Sequence, residues 1–155
     1  MLEVYREVAA SAPDALTVWA SLVDPPGGGP ALAVVDVTYL GDGRQAGALL
    51  EPFEGLGGAI SDDRHERPMT TLGDITGDPA DPSPGIGRCE LLTGLDETVL
   101  DALTEGLAGG LAPVLVLQLR HLGGALARPS DGPTAGMPEP YALTATGVWS
   151  NYPVT

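Results

Sequence analysis

The chain is 155 residues long, which predicts a single domain over residues 1–155 with one hydrophobic core. Its 21 acidic residues against 7 arginines and no lysine give a formal net charge of −14, which argues against nucleic acid and anionic membranes as partners. The single cysteine excludes an internal disulfide framework. No signal peptide or long apolar stretch is visible, so we expect a cytoplasmic protein.

The N-terminal part of the chain predicts a helix followed by a β-hairpin. Apolar residues recur at spacings of three and four over residues 2–12, and Pro13 ends this amphipathic pattern. Residues 16–23 (LTVWASLV) and 31–40 (ALAVVDVTYL) have the composition of strands, and the breaker-rich stretch 24–30 predicts a turn between them. In the second strand, alternation places Asp36 and Thr38 on the same face as Leu32 and Val34.

The middle of the chain is less regular. Residues 44–56 predict a second helix, whose last turn Pro52 interrupts. Periodicity is absent over residues 57–87. A loop of this length is usually functional, disordered or the location of a short hidden element, and all three interpretations remain open.

The C-terminal part predicts three strands and one helix. Residues 86–92 resemble a short strand, residues 94–108 carry a helical apolar stripe, and residues 141–149 form a last strand after a loop over 129–140. The strongest strand signal covers residues 114–122, which we expect at the centre of the sheet. Alternation divides this strand into an apolar face (Leu115, Leu117, Leu119, His121) and a face with polar residues (Val114, Val116, Gln118, Arg120, Leu122).

This order of elements predicts an α+β fold, a mainly antiparallel sheet of about five strands with helices packed on one face. Too few strands alternate with helices for a doubly wound parallel sheet. The helix-free face of such a sheet must meet a second domain, a second subunit or a ligand. This missing cover is the main functional clue in the sequence.

Most motifs that carry chemistry are absent. The sequence holds no G-x-G-x-x-G, no phosphate-binding loop and no G-x-S-x-G nucleophile elbow. His65 and His121 lack the spacing of a metal site, and His121 is expected to pack at a strand end. Cys89 is expected to be a small buried residue of a strand. We therefore predict no metal site and assign no catalytic residue.

Polar side chains within the central strand are the strongest candidates for a binding site. Gln118 and Arg120 interrupt an otherwise apolar strand, where an arginine needs a partner or a ligand unless it faces solvent. Neighbouring strands add aromatic and hydroxyl side chains to this region: Thr17, Trp19, Tyr39, Tyr141 and Thr144. We predict that substrate binds among these residues.

Several loose patterns occur in an order that resembles a known family. They are A-P-x-x-L-T at residues 12–17, V-x-Y-x-G-D at 37–42, E-P-F at 51–53, the loop RPMTTLGDI at 67–75 and L-G-G-A-x-A at 122–127. Over nearly the whole chain, this order is similar to the substrate-binding domain of berberine bridge enzyme-like FAD-linked oxidoreductases, in the vanillyl-alcohol oxidase superfamily.

The resemblance implies that substrate lies between a flavin and the helix-free face of an antiparallel sheet, and that the flavin N5 removes a hydride from a substrate carbon. It implies substrate contacts from the strands around Gln118, Arg120 and Tyr141 and from the loop near Met69. The flavin-binding segments of that family have no counterpart here. The resemblance therefore implies that FAD is held mainly by a flavin-binding domain in cis or trans, and that the isolated chain is inactive.

The function expected from the sequence is thus that of a substrate-binding domain of an FAD-dependent oxidoreductase, acting on a small organic or natural-product-like molecule. The alternative is a stand-alone ligand-binding protein without flavin, in which two copies cover each other's sheets as a homodimeric α+β barrel. A cofactor-free enzyme on the same dimeric scaffold is a further alternative.

Overall fold

The computed structural model describes residues 1–25, 29–75, 77, 84–111, 114–129, 131–132 and 136–148. In chain order, its elements are α1 (Leu2–Ala10), β1 (Leu16–Val23), β2 (Leu32–Tyr39), α2 (Gly43–Glu54), a 3-10 helix (Met69–Asp74), β3 (Gly85–Leu92), α3 (Glu97–Ala108), β4 (Val114–His121), a second 3-10 helix (Gly124–Ala127) and β5 (Tyr141–Val148). The predicted order of helices and strands is confirmed. The end of the predicted strand 141–149 and parts of the segments 24–30 and 129–140 lie outside the described residues.

The five strands form one sheet in the order β2-β1-β4-β5-β3, and every neighbouring pair is antiparallel. β1 and β2 form the predicted hairpin, with Leu16 opposite Tyr39 and Val23 opposite Leu32. β4 lies at the centre, as its dense apolar sequence predicts. The fold is therefore α+β with an antiparallel sheet, as expected from the sequence.

One face of the sheet, which we call the helix-covered face, holds the hydrophobic core. Val18 of β1 and Leu119 of β4 pack there with Tyr5 of α1 and Leu103 of α3. Tyr5 is fully buried, and its hydroxyl donates a hydrogen bond to the carbonyl oxygen of Leu119 at 3.2 Å. Burial, with a smaller contribution from Tyr141, raises the pKa of Tyr5. The N-terminal helix is thus tied to the central strand.

α2 packs on the same face. Leu50 of this helix shares a second cluster with Val8 of α1 and Leu16 of β1. The helix begins after Asp42, whose Oδ1 accepts hydrogen bonds from the backbone nitrogens of residues 44 and 45. It ends two residues after Pro52, which has no N–H to donate to the carbonyl four residues earlier.

Local geometry changes two details of the sequence prediction. α3 begins at Glu97 rather than at residue 94, because Asp96 is its N-cap and accepts a hydrogen bond from the nitrogen of Val99 at 3.0 Å. The register of β4 and β5 shifts between Val114 and Val116. Because of this irregularity, Val114 packs against the core cluster, and the prediction that it shares a face with Gln118 is wrong.

The long loop after α2 contains the short element that the sequence left open, the 3-10 helix Met69–Asp74. Its first turn is held by the hydroxyl of Thr71, which donates a hydrogen bond to the carbonyl oxygen of Pro68 at 3.0 Å. None of the helices in the described part of the chain has the length and hydrophobicity needed to cross a membrane.

Candidate functional site

The other face of the sheet, which we call the open face, carries the side chains that alternate with the core positions. Antiparallel register places Trp19 of β1 directly between Asp36 of β2 and Arg120 of β4. Two residues away on each strand, and on the same face, Ser21 lies opposite Gln118. Residues distant in sequence therefore form two adjacent rows across the centre of the sheet.

Arg120 is held in place by two neighbours on the open face. Its guanidinium carbon lies 4.6 Å from the centroid of the Trp19 ring, which is within the range of a cation–π interaction. Its Nε donates a hydrogen bond of 2.6 Å to Oε1 of Gln118, two residues earlier on the same face. These contacts orient an exposed guanidinium and reduce the entropy it loses when it binds a ligand.

Gln118 links this arginine to the interior of the sheet. Its Nε2 donates a hydrogen bond of 3.2 Å to the hydroxyl of Ser21, which is only 5% exposed. Because the amide oxygen faces Arg120 and the amide nitrogen faces Ser21, both ends of the amide are used. The chain of contacts from Ser21 through Gln118 to Arg120 thus fixes the orientation of all three side chains.

The same row continues on the other side of β4. Thr144 lies opposite both Gln118 and Cys89, and its hydroxyl donates a hydrogen bond of 3.5 Å to the Cys89 Sγ. Cys89 is exposed, so the prediction that it is a buried residue is wrong. The reason is its position on β3, an edge strand whose residues from Gly85 to Leu91 are all exposed.

Asp36 makes one end of the first row acidic. The side chain is half-buried beside Trp19. Desolvation, with a further contribution from the negative charge of Asp63, raises the pKa of the Asp36 carboxyl. The open face therefore has a negative end at Asp36 and a positive group at Arg120, with an aromatic ring between them.

The structure brings together three of the six residues predicted to bind substrate. Gln118, Arg120 and Trp19 meet on the open face. Tyr141 is 7% exposed and belongs to the core cluster on the helix-covered face. Tyr39 packs with the cluster around α2, and its hydroxyl donates a hydrogen bond of 3.0 Å to the Gln45 side chain.

The sixth residue, Met69, begins the first 3-10 helix and is 68% exposed. The two histidines lie elsewhere. The ring of His121 packs 5.7 Å from that of Tyr141, at a strand end as predicted, and burial lowers its pKa. His65 is exposed in the loop before the 3-10 helix. Neither histidine lies in the rows described above.

Two residues of the open face were not among the sequence candidates. Ser21 is the hydrogen-bond acceptor for Gln118, and Asp36 is the acidic neighbour of Trp19. The sequence did contain a signal for both residues. Ser21 lies two residues from the candidate Trp19 on β1, and Asp36 lies two residues from the polar Thr38 on β2, so in each pair the two side chains share a face. Their partners on neighbouring strands could not be predicted in this way, because alternation within one strand does not show which residue of the next strand lies opposite.

The three α-helices of the described chain are poorly suited to bind the pyrophosphate of a dinucleotide such as FAD, because each has an acidic side chain at its N-cap or in its first turn, Glu3 in the case of α1. The N-termini of α2 and α3, which could otherwise bind phosphate, are capped by the carboxylates of Asp42 and Asp96. In the same part of the chain, no group of three or more histidine, cysteine or acidic residues could hold a metal ion.

Comparisons with known proteins show the fold. No family model matches the sequence, and no curated protein matches it. Among solved structures, BBE-like 28 from Arabidopsis thaliana matches 96% of this chain with a TM-score of 0.63 and 16% sequence identity. The match covers 34% of that protein, so the chain spans about a third of its length. This chain therefore has the fold of one part of a BBE-like protein.

Proposed function

We propose that this chain is the substrate-binding domain of an FAD-linked oxidoreductase that oxidises a small organic molecule. The observation that carries the proposal is the set of ordered polar side chains on the sheet face opposite α1, α2 and α3, in a fold shared with part of a BBE-like protein. Neither feature alone would indicate this function, because one fold supports many activities.

In this proposal, Trp19, Gln118 and Arg120 position the substrate. Trp19 offers an aromatic surface, and Arg120 offers charged hydrogen-bond donors whose direction is set by Gln118. Side chains held in place before binding lose little conformational entropy, which favours one orientation of the substrate. The contribution of the chain is therefore binding and orientation.

A second domain is required by the proposal for two reasons. Acidic side chains at the helix N-termini disfavour a pyrophosphate there, so the proposal places the flavin in another domain, in cis or in trans. The open face also carries exposed apolar side chains, with Val34 37% exposed and Leu91 50% exposed. A partner that covers this face would bury them together with the substrate.

FAD titration of the purified 155-residue chain tests the proposal. We expect the visible spectrum and fluorescence of FAD to remain those of the free cofactor at equimolar chain. Stoichiometric, tight binding of FAD by this chain alone would contradict the claim that the flavin site lies in another domain. The coding sequence that flanks residues 1–155, or a neighbouring gene, is expected to encode the flavin-binding segments.

The mass of the chain in solution tests the alternative in which two copies cover each other. Light scattering coupled to gel filtration is expected to show a monomer, because the open face is proposed to be covered by a different domain. A stable dimer in which amide exchange of β1 and β4 shows both open faces protected would favour the stand-alone homodimer instead.

A further inference from the structure

Arg120 differs from most arginines of this chain in how its charge is balanced. Four arginines form ion pairs with carboxylates: Arg44 with Asp42, Arg64 with Asp62, Arg88 with Glu90 and Arg128 with Asp14. Among the described residues, no carboxylate pairs with Arg120. Arg6 and Arg67 are likewise outside the ion pairs of the described residues, but Arg6 lies on α1 and Arg67 in the loop before the 3-10 helix, whereas Arg120 lies on the central strand of the sheet.

The contacts of Arg120 leave its terminal nitrogens available. Its Nε is used by Gln118, and the Trp19 ring contacts the guanidinium group. Hydrogen bonds between described residues do not use Nη1 or Nη2 of Arg120. These nitrogens carry parallel N–H groups whose geometry matches the two oxygens of a carboxylate.

We propose that the open face binds its substrate by a carboxylate group, which Arg120 holds through its terminal nitrogens, so that the substrate is a small organic acid. The inference rests on the proposed function, because it names the substrate class of the same site. The body of the acid lies along the face past Trp19, toward β2.

The charges around Arg120 favour a single negative charge on the ligand. Asp36 lies on the other side of Trp19 from Arg120, and Asp63 is close enough to raise the Asp36 pKa. A carboxylate is neutralised by one guanidinium, whereas a phosphate dianion would keep excess negative charge beside these acidic groups. The same acidic end disfavours the reversed orientation, in which the carboxylate would approach Asp36.

Gln118 is the residue that keeps the Arg120 charge unbalanced. Its neutral amide accepts the Nε hydrogen bond and so orients the guanidinium without cancelling its charge. A glutamate at this position would have nearly the same shape but would form an ion pair with Arg120. Gln118→Glu therefore removes the proposed function of Arg120 while the arginine itself stays in place.

Titration of the ¹⁵N-labelled chain with benzoate, benzamide and phenyl phosphate tests the inference. These probes have the same ring and differ in its substituent, which is a carboxylate, a neutral amide or a phosphate. We expect benzoate to bind about tenfold more tightly than benzamide, since a hydrogen bond to a charged group contributes more than one between neutral groups. Phenyl phosphate is expected to bind more weakly than benzoate. Amide shift changes are expected to concentrate on Trp19, Gln118 and Arg120.

Three variants test whether Arg120 is the residue that binds the carboxylate. Arg120→Gln and Gln118→Glu are each expected to weaken benzoate binding about tenfold and to leave benzamide binding unchanged. The matched control is Arg88→Gln, which removes the same charge from another strand, where the arginine pairs with Glu90 and is 82% exposed. This control is expected to bind benzoate like the original chain. Circular dichroism and thermal unfolding confirm that each variant is folded.

The inference is overturned if benzoate does not bind, if it binds no better than benzamide, or if Arg120→Gln binds it unchanged. Tighter binding of phenyl phosphate than of benzoate would overturn the choice of a carboxylate. These outcomes are separate from the FAD titration and the mass measurement. A chain that binds FAD tightly but still needs Arg120 for benzoate would refute the proposed function and not the carboxylate site.

Discussion

The two faces of the sheet are built from the same strands but have opposite properties. On the helix-covered face, Val18 and Leu119 are at most 2% exposed and are packed by helices. On the open face, the next residue along β4 from Leu119 is Arg120, which is exposed and ordered by Trp19. One face thus supplies stability, and the other presents side chains already oriented for a ligand. Neighbouring positions of one strand can separate the two roles.

The largest expected effect is on the free energy of unfolding, and it is measured by comparing two single variants at adjacent positions of β4. Leu119→Ala is expected to lower the free energy of unfolding by about 3 kcal/mol, because it removes buried apolar volume from the core. Gln118→Ala is expected to lower it by about 1 kcal/mol or less, because it removes only hydrogen bonds of the open face. Urea unfolding at constant m-value measures both. Equal losses would show that the open face is also a structural element.

A smaller effect is expected for Tyr5→Phe, which removes the hydrogen bond to the Leu119 carbonyl. At neutral pH, we expect a loss of about 1 kcal/mol. The pKa of Tyr5 is raised in the folded state, so its contribution to stability is complete below the ordinary value of 10.0 and is lost as pH rises above it.

The original chain is therefore expected to lose stability above pH 10.0 more steeply than Tyr5→Phe, by about 1.4 kcal/mol for each pH unit. The two unfolding curves are expected to cross within about one pH unit of that value. Urea unfolding between neutral and alkaline pH measures the difference. Parallel pH profiles would mean that Tyr5 is solvated and does not connect α1 to the central strand.

The smallest expected effect is that of Asp36→Asn. The Asp36 pKa is raised in the folded state, so the ionised carboxylate destabilises the fold above its ordinary pKa of 3.8 and has no such effect when protonated below it. Because the side chain is partly exposed, Asp36→Asn is expected to stabilise the chain by less than about 0.5 kcal/mol at pH 7.

This gain from Asp36→Asn is expected to vanish at pH values below 3.8. The variant is also expected to bind benzoate about twofold more tightly, since a negative charge beside Trp19 is removed. Unfolding at two pH values and the benzoate titration measure these effects. A loss of stability at pH 7 would show that Asp36 has a favourable partner.

Sequence patterns were sufficient for the elements and for the order in which they occur. β1 matches the predicted residues 16–23, and β4 lies at the centre of the sheet as predicted from its apolar density. Period-two alternation also separated Gln118 from Leu119 correctly, because side chains of a regular strand point to opposite faces in turn. The irregularity that moves Val114 to the core depends on pairing with β5, which alternation in β4 alone does not contain.

The composition of the site was harder to predict. Tyr141 and Thr144 are three residues apart on β5 and so lie on opposite faces, but only the pairing with β4 decides which of them joins Gln118. The face of Tyr39 depends on the register of the hairpin, which is set by the turn between β1 and β2. Trp19 and Arg120 are far apart in sequence, and they are brought together by the pairing of β1 with β4. That pairing follows from the packing of the whole sheet.

The pairing of β1 with β4 has a consequence for synthesis of the protein. β1 pairs with β2 in a local hairpin. It also pairs with β4, where Arg120 lies opposite Trp19, and β4 comes much later in the chain. Contacts of such high sequence separation slow folding, so the nascent chain is expected to hold the apolar side of α1 in water until β4 leaves the ribosome. Premature release or truncation before that strand would therefore leave an aggregation-prone fragment.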